Sequence, residues 1–376
     1  MKKRYIILLG LVICLSACTP IADNNTQPII INHTHKSTKE IAVEKYYYNS
    51  LDSIKTREWY ERIEKALVNR EEELFIPGMD ADTLKFIYRC IGLDNPDFFY
   101  VESTYSYELD EEGITLYPKY NMTQNEQLQA VKEIEIYKEK VFSLFTDDMD
   151  AYEKEKVIYD YIASNTKYLM SSEYNQTIYS VVKGESVCLG YSKMFQFLCQ
   201  QIDIPCTIIT GTNREGVRHA WNCVYIEGNW YMVDCTNSVG QLTDTRETVS
   251  YYFFNITKEQ LLRSYSIDNI VESPDCISVG QEYFYKNGFY YDTADIKKYK
   301  EQLIEKMNNG EDTLTIRCSN EEILGSLYGV LIEQKEIFNI LNSDYQISYV
   351  RSNEFLVLQI SWKEKEISRY EKHQDY

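Results

Sequence analysis

Apolar residues recur every three to four positions across 60–67, 80–90, 124–145 and 150–167, the spacing of helices that bury one face. In the second of these, Leu84, Ile87 and Tyr88 point inward behind an Asp start; in the fourth, Val157, Tyr161 and Ile162 do. Residues 100–107 and 113–120 read as paired strands around Asp110-Glu111-Glu112-Gly113. From Cys188 onward, Tyr191, Met194, Phe195, Leu198 and Ile202 form one apolar stripe, so Cys188 sits at or just before the first turn of a buried helix. That helix is expected to stop near Asp203-Ile204-Pro205, because a proline disfavours helix in the residue before it. The β-branched run 206–210 is a predicted strand and 211–216 a polar loop. Residues 219–226 and 230–236 form a predicted hairpin turning at Glu227-Gly228-Asn229. Beyond about 275 the pattern predicts a hairpin over 283–291 around an Asn-Gly pair, a helix over 293–307 and a strand over 312–318. Mostly helix follows over 321–341, then a strand pair at 345–350 and 354–362.

The central hairpin is where chemistry enters. Side chains alternate along a strand, so a two- or four-residue loop puts position 219 on one face with 232, 234 and 236, and a two-residue loop at Glu227-Gly228 sets Trp221 opposite Asp234. His219 then lies one diagonal step from Asp234, where a carboxylate can hold the imidazole tautomer; an odd-length loop would separate the two. Cys188 comes earlier, between Gly184 and Gly190. Unpaired N–H groups and the positive end of the helix dipole stabilise a thiolate at such a place. A thiol, an imidazole and a carboxylate in that order are the inventory of a cysteine nucleophile, its base and the group that orients the base. His219 is the histidine of the predicted folded body: His33 and His35 lie in a polar N-terminal stretch and His373 in the tail. The His33/His35 pair has no third ligand or rigid frame for a metal.

These motifs, Gly184-x-x-Val187-Cys188-x-Gly190-Tyr191, His219-Ala220-Trp221-Asn222 and Trp230-Tyr231-x-Val233-Asp234-x-Thr236, resemble those of the transglutaminase-like superfamily. The resemblance implies an α+β fold with a papain-like/transglutaminase-like core over 150–265. A helical and strand region at 45–149 precedes it and a small C-terminal α+β domain at 275–376 follows. It assigns Cys188 as nucleophile, His219 as general base and acid, and Asp234 as the orienting residue. Residues 94–100 and 251–255 resemble segments flanking the core in bacterial lipoprotein members. Two positions depart from the family pattern. Asn237 follows Thr236 where many relatives place a Trp nearby, and Tyr265 stands where those lipoproteins often have a second His. Papain-like enzymes stabilise the oxyanion with an upstream Gln; Gln176 is the candidate, or else a loop residue without a role. Tyr191, Trp221 and Trp230 are candidates for the walls of a substrate cleft.

Residues 1–18 read as an export signal: Lys2-Lys3-Arg4, then an apolar run over 5–15 too short to span a bilayer as a mature helix. Leu15-Ser16-Ala17-Cys18 resembles a bacterial lipobox, which implies lipidation at Cys18 and an extracytoplasmic, membrane-anchored protein; the alternative is a plain secretory signal. The polar stretch 19–44 is then a disordered tether. The body has core enough, with 44% hydrophobic residues over 376 positions. The 34 tyrosines suit half-buried surfaces and peptide or sugar grooves, or reflect a compositional bias. A net charge of −19 argues against a nucleic-acid partner, which needs basic patches.

No cofactor is implied. Zinc is disfavoured because the cysteines include no Cys-x-x-Cys pair, and most of them read as small core hydrophobes. In the hairpin register Cys223 and Cys235 point to opposite faces and should not pair; Cys199 and Cys206 meet only if the helix end folds back closely. The aromatics of 45–149 either pack beneath the core or line a cleft. The function expected is a surface-anchored cysteine enzyme acting on amide bonds of peptides or proteins through a thioester. Hydrolysis is favoured over cross-linking because the motifs supply little tryptophan to wall the site. The competing reading is a non-catalytic surface binding protein.

Overall fold

The computed structural model describes residues 5–7, 45–170, 174–238, 249–268, 270–341 and 344–365. Most of the signal and the tether, with Cys18, His33 and His35, lie outside the described residues, as does His373.

The N-terminal region pairs β1 (Tyr5–Ile7), β3 (Val101–Leu109), β4 (Gly113–Tyr120) and β2 (Leu74–Pro77) into one sheet, in the spatial order β1-β3-β4-β2. Its helices are α1 (Tyr46–Asn49), α2 (Ile54–Val68), α3 (Ala81–Asp94) and α4 (Gln124–Phe142). The last three begin where the sequence supplies caps: Ser53 accepts from Thr56 N, Asp80 from Thr83 N, and Thr123 with Glu126 forms a reciprocal capping box. The expected inward residues Leu84, Ile87 and Tyr88 are all buried. Phe98, Phe99 and Tyr100 are buried as well, so these three aromatics pack in the core. Its apolar cluster runs without a break from Tyr47 to Phe254, so the N-terminal region and the central unit share one core. The Tyr47 hydroxyl donates to the Ile208 carbonyl at 2.6 Å, and Arg89 pairs with Asp268 at 2.7 Å.

The central unit opens with α5 (Ala151–Asn165), capped by Asp150 and Glu153. Its buried stripe is Tyr152, Ile158, Tyr159 and Ile162, whereas the expected Val157 and Tyr161 are only half-buried. Next come β5 (Lys167–Tyr168), α6 (Ile178–Val182), β6 (Glu185–Ser186) and α7 (Cys188–Gln201), with β5 and β6 in parallel register. An antiparallel sheet follows in the spatial order β10-β7-β8-β9, from β7 (Cys206–Asn213), β8 (Arg218–Ile226), β9 (Asn229–Val233) and β10 (Tyr265–Ile267). A short helix, α8 (Lys258–Leu261), precedes β10. On β8, Ala220, Val224 and Ile226 join the cluster that holds Met194, Phe195 and Leu198 of α7. Trp221 and Cys223 face a second cluster with Met232, Phe253, Tyr265 and Cys276. Residues 211–213 depart from the expected loop: they continue β7 because β10 pairs with them. Gly211 permits this. A Cβ there would sit 1.8 Å from the Ser266 carbonyl oxygen and 2.7 Å from Trp221.

The C-terminal sheet has the order β11-β12-β14-β13, from β11 (Tyr290–Tyr291), β12 (Thr313–Cys318), β13 (Tyr345–Ser352) and β14 (Val357–Glu364). The hairpin expected over 283–291 is not formed. Residues 283–286 are helix α9 (Tyr283–Lys286), because the Glu282 carboxylate caps Tyr285 N at 2.9 Å. β11 then pairs in parallel with β12 instead of folding back. Helices α10 (Ile296–Asn308), α11 (Glu321–Tyr328) and α12 (Glu336–Leu341) supply the remainder of a separate apolar cluster that includes Tyr299, Leu303, Ile316 and Ile360.

Candidate active site

Cys188 is the first residue of α7, and Val187 before it offers no side-chain cap. The chain reaches this point through a tight bend. Gly184 has φ +83°, Val187 N donates to the Asn175 carbonyl at 3.0 Å, and Ser186 Oγ donates to that same oxygen at 2.9 Å. Gly190 is required one turn on, since a Cβ there would come within 2.0 Å of Ser186 Oγ and 3.0 Å of the Asn175 carbonyl oxygen. Cys188 is half-buried, whereas Cys90, Cys199, Cys206, Cys223, Cys235, Cys276 and Cys318 are all buried. Burial pushes the thiols of Cys90 and Cys318 up to about 12 and those of Cys199 and Cys235 well above their ordinary range.

The hairpin has the two-residue loop. Ile226 pairs with Asn229 across Glu227-Gly228, whose φ values of +48° and +85° suit a tight primed turn. Asn222 pairs with Val233, so the next step of the register sets Trp221 against Asp234. His219 Nε2 bonds the Asp234 carboxylate at 2.8 Å, which leaves Nδ1 free of that bond, and the imidazole also interacts with Cys188. Burial of the ring opposes its charge. Asp234 and the hydrogen bond to it, followed by Cys188, outweigh that effect and push His219 up to about 10. Asp234 is fully buried; desolvation works to raise its carboxyl, yet the His219, Asn237 and Tyr265 contacts hold it below the usual range.

The carboxylate is more heavily bonded than sequence reading foresaw. Its Oδ2 accepts from Asn237 Nδ2 at 2.8 Å and from the Tyr265 hydroxyl at 2.8 Å, and its Oδ1 accepts from Thr236 N at 2.9 Å. Asn237 also contacts Tyr265 OH directly and lies 3.4 Å from His219 Nε2. Both residues that depart from the family pattern thus meet on Asp234. Their departure was the available signal; a shared partner could not be read from one-dimensional spacing. Tyr168 was missed as well. β5 runs beside β6, with Leu169 N bonded to the Ser186 carbonyl at 2.9 Å, and the Tyr168 phenol lies against Cys188. Burial, then Cys188, raises that phenol above its ordinary range. Tyr168, Leu169 and Met170 form an exposed apolar strip at the site's rim.

The three aromatics expected in a substrate cleft are elsewhere. Tyr191 is buried and donates to the Thr166 carbonyl at 2.6 Å. Trp221 is fully buried, stacked on Tyr265 with ring centroids 5.1 Å apart, so it supports the site from beneath. Trp230 packs on Tyr46 and Tyr225 near the hairpin turn, four strand residues or roughly 13 Å along the chain from Asp234. Gln176 is half-buried in the turn beside Asn175, and among the described residues it makes no hydrogen bond to Cys188.

Residues 139–235, which hold Cys188, His219 and Asp234, match the family model of the Transglutaminase-like superfamily, and this segment is a transglutaminase-like core. The chain is 25% identical over 148 residues to the Kyphoscoliosis peptidase of Mus musculus, covering 34% of this chain and 22% of that protein. It is 25% identical over 175 residues to the Kyphoscoliosis peptidase of Homo sapiens, covering 41% and 26%. It therefore spans about a quarter of the length of these curated relatives. A solved structure described as a crystal structure of a TGase overlaps 39% of this chain and 47% of its own, at 17% identity and a TM-score of 0.28.

Proposed function

We propose that this protein is a cysteine amidohydrolase that cleaves amide bonds of peptides or proteins through a thioester. The observation that carries the reading is the 2.8 Å bond from buried Asp234 to His219, whose imidazole also interacts with the half-buried Cys188. His219 takes the proton of Cys188, and the thiolate sulfur attacks the amide carbonyl carbon. The oxyanion forms beside the start of α7, where Val187 makes no side-chain cap, and the Cys188 N–H is the main-chain donor proposed for it. The C–N bond then breaks, the imidazolium protonates the departing amine, and an acyl-thioester remains. Water, deprotonated by His219, releases the acid and restores the thiol. The name peptidase carried by the two relatives agrees with this direction of chemistry.

Iodoacetamide near neutral pH should alkylate Cys188 first among the described cysteines, since the others are buried and burial disfavours the thiolates of Cys90, Cys199, Cys223, Cys235 and Cys318. His219→Ala should slow that labelling by removing the cationic partner. Uniform labelling, or Cys188 reacting last, would refute the nucleophile assignment.

Water should win the second half-reaction. Cross-linking needs an acyl-enzyme shielded from bulk water at ~55 M, within a dry, walled site. Trp221 lies under Tyr265, Trp230 lies at the far end of the hairpin, and Asn237 is polar. With an acyl-donor peptide and millimolar labelled amine, hydrolysis should exceed incorporation; the reverse ratio would replace the hydrolase with a cross-linking enzyme.

The anchoring proposal rests on the lipobox-like Leu15-Ser16-Ala17-Cys18. Expressed in a bacterium, the protein should sediment with membranes, and Cys18→Ser should release it or leave an uncleaved precursor. Unaltered membrane association in that variant would remove the lipid anchor from the reading.

A further inference from the structure

Cys223 sits in the middle of β8, on the face turned away from α7. Cys276 lies in the irregular run that leads from the catalytic sheet to α9, held by a 2.7 Å bond from Lys258 N to its carbonyl. Both are buried, at 0% and 1% exposure, and their sulfurs are 3.1 Å apart. A bonded pair needs sulfurs about 2.05 Å apart, so closure takes a shift of about 1 Å. The side chains at this point are apolar or sulfur-bearing, Met232 among them at 3.6 Å from Cys223, and the Cys276 thiol has besides Cys223 only a long contact of 3.7 Å to the Pro274 carbonyl among the described residues.

We propose that Cys223 and Cys276 form an intramolecular disulfide when the chain folds in the presence of an external disulfide, either a small-molecule disulfide or a thiol–disulfide oxidoreductase. One cysteine thiolate attacks the external disulfide, forms a mixed disulfide and expels one thiolate. The second attacks the first cysteine's sulfur and expels the other thiolate. The two cysteine protons pass to the two leaving thiolates, so the external disulfide is reduced to two thiols as the cysteine pair is oxidised. Burial pushes the Cys223 thiol well above its ordinary range, which makes exchange slow in the folded protein and assigns closure to folding or to local opening. An export signal at residues 1–18 would carry the chain to where such oxidants act.

The bond would tie the strand that begins with Arg218 and His219 to the segment behind it. The loop it closes contains Asp234, Asn237 and Tyr265, so the carboxylate and two of its donors would be held by one covalent ring. The inference is independent of the proposed chemistry, because nothing in it uses Cys188.

The test uses the full chain, reduced and unfolded, then refolded with a glutathione redox couple, alkylated and digested without reductant. The expected product is one peptide pair joining Cys223 to Cys276, two hydrogens lighter than the separate thiols, with Cys188 alkylated. Dithiothreitol should lower the thermal midpoint of the refolded protein by about 5–10 °C and leave that of Cys276→Ala unchanged. Recovery of both cysteines as alkylated thiols, or oxidation that joins Cys199 to Cys206 instead, would overturn the proposal. Should Cys276→Ala fail to fold, the peptide map of the unmodified chain decides alone.

Discussion

Asp234→Asn should lower kcat by about 10³–10⁴ while leaving KM nearly unchanged. The carboxylate is fully buried and cannot touch substrate, so binding is spared. Its Oδ2 faces three donors, from His219, Asn237 and Tyr265, and its Oδ1 faces the Thr236 N–H. An Asn has one oxygen and one NH₂, so in either orientation a donor meets a donor. If the NH₂ takes the Oδ2 place, the imidazole can accept from it only as the tautomer that is protonated at Nδ1. That tautomer points an N–H at Cys188 and cannot take its proton. Tyr265→Phe removes one donor without forcing the tautomer, and a loss of about tenfold is expected.

The same pair sets a pH signature. His219 holds its proton more tightly in the fold than at its ordinary value of 6.5, so its contribution to stability is complete below that value and is lost as pH rises through about 10. Asp234 is held below its ordinary 3.8, so its contribution is present above that value and is lost as pH falls through the folded value. Wild-type stability should show a plateau between pH 3.8 and 6.5 and a decline above 6.5 that the Asn variant lacks. Titration of His219 by NMR should place the imidazole of Asp234→Asn well below that of the wild type. An unshifted imidazole would detach it from Asp234.

The register of the hairpin that carries His219 and Asp234 was legible because it depends on two local facts. Glu227-Gly228 supports a two-residue turn, and strand side chains alternate, so His219 and Asp234 had to share a face. The start of α7 at Cys188 was legible for a similar reason, being bracketed by glycines and followed by an apolar stripe. The failures come from partners distant in the chain. Tyr265 reaches Asp234 only because β10 returns to the edge of β7, and that same return turns the expected loop at 211–213 into strand. Trp221 was placed correctly opposite Asp234, but its alternation could not tell an open cleft from a floor roofed by Tyr265. The Asn-Gly pair at 287–288 does turn the chain, with Gly288 at φ +81°. The stretch before it is helical because buried Glu282 caps that turn, and β11 finds its partner in β12.

That same Glu282 sets up the largest stability effect expected in this protein. Its carboxylate is fully buried and receives Arg317 Nη1 of β12 at 3.0 Å; Arg317 is only 2% exposed. Arg317 Nη2 also donates to the Tyr252 carbonyl at 2.7 Å, so one guanidinium ties the C-terminal sheet to the segment 251–254. Removing the cation alone, as in Arg317→Ala, leaves a buried carboxylate without its charge partner, and the expected loss is about 3–5 kcal/mol. Burial already raises the Glu282 carboxyl and Arg317 opposes that rise, so the variant should raise it further. A group that binds its proton more tightly in the fold favours the fold as pH falls, so the deficit of Arg317→Ala should narrow toward acid. Glu282→Gln with Arg317→Met removes both charges and keeps an acceptor for Tyr285 N, and should recover most of the loss. Denaturant melts at several pH values for the single and double variants check all three statements; equal losses in both would mean that shape rather than charge holds the joint. The joint also bears on the site. Asp234 N donates to the Phe253 carbonyl at 3.0 Å, one residue from the carbonyl that Arg317 holds. Arg317→Ala, assayed where it is still folded, should therefore lose kcat by about tenfold through a loosened Asp234. The double variant loses the Tyr252 bond too, so it should recover stability without recovering kcat. Full kcat in the folded single variant would confine the C-terminal domain to a stabilising role.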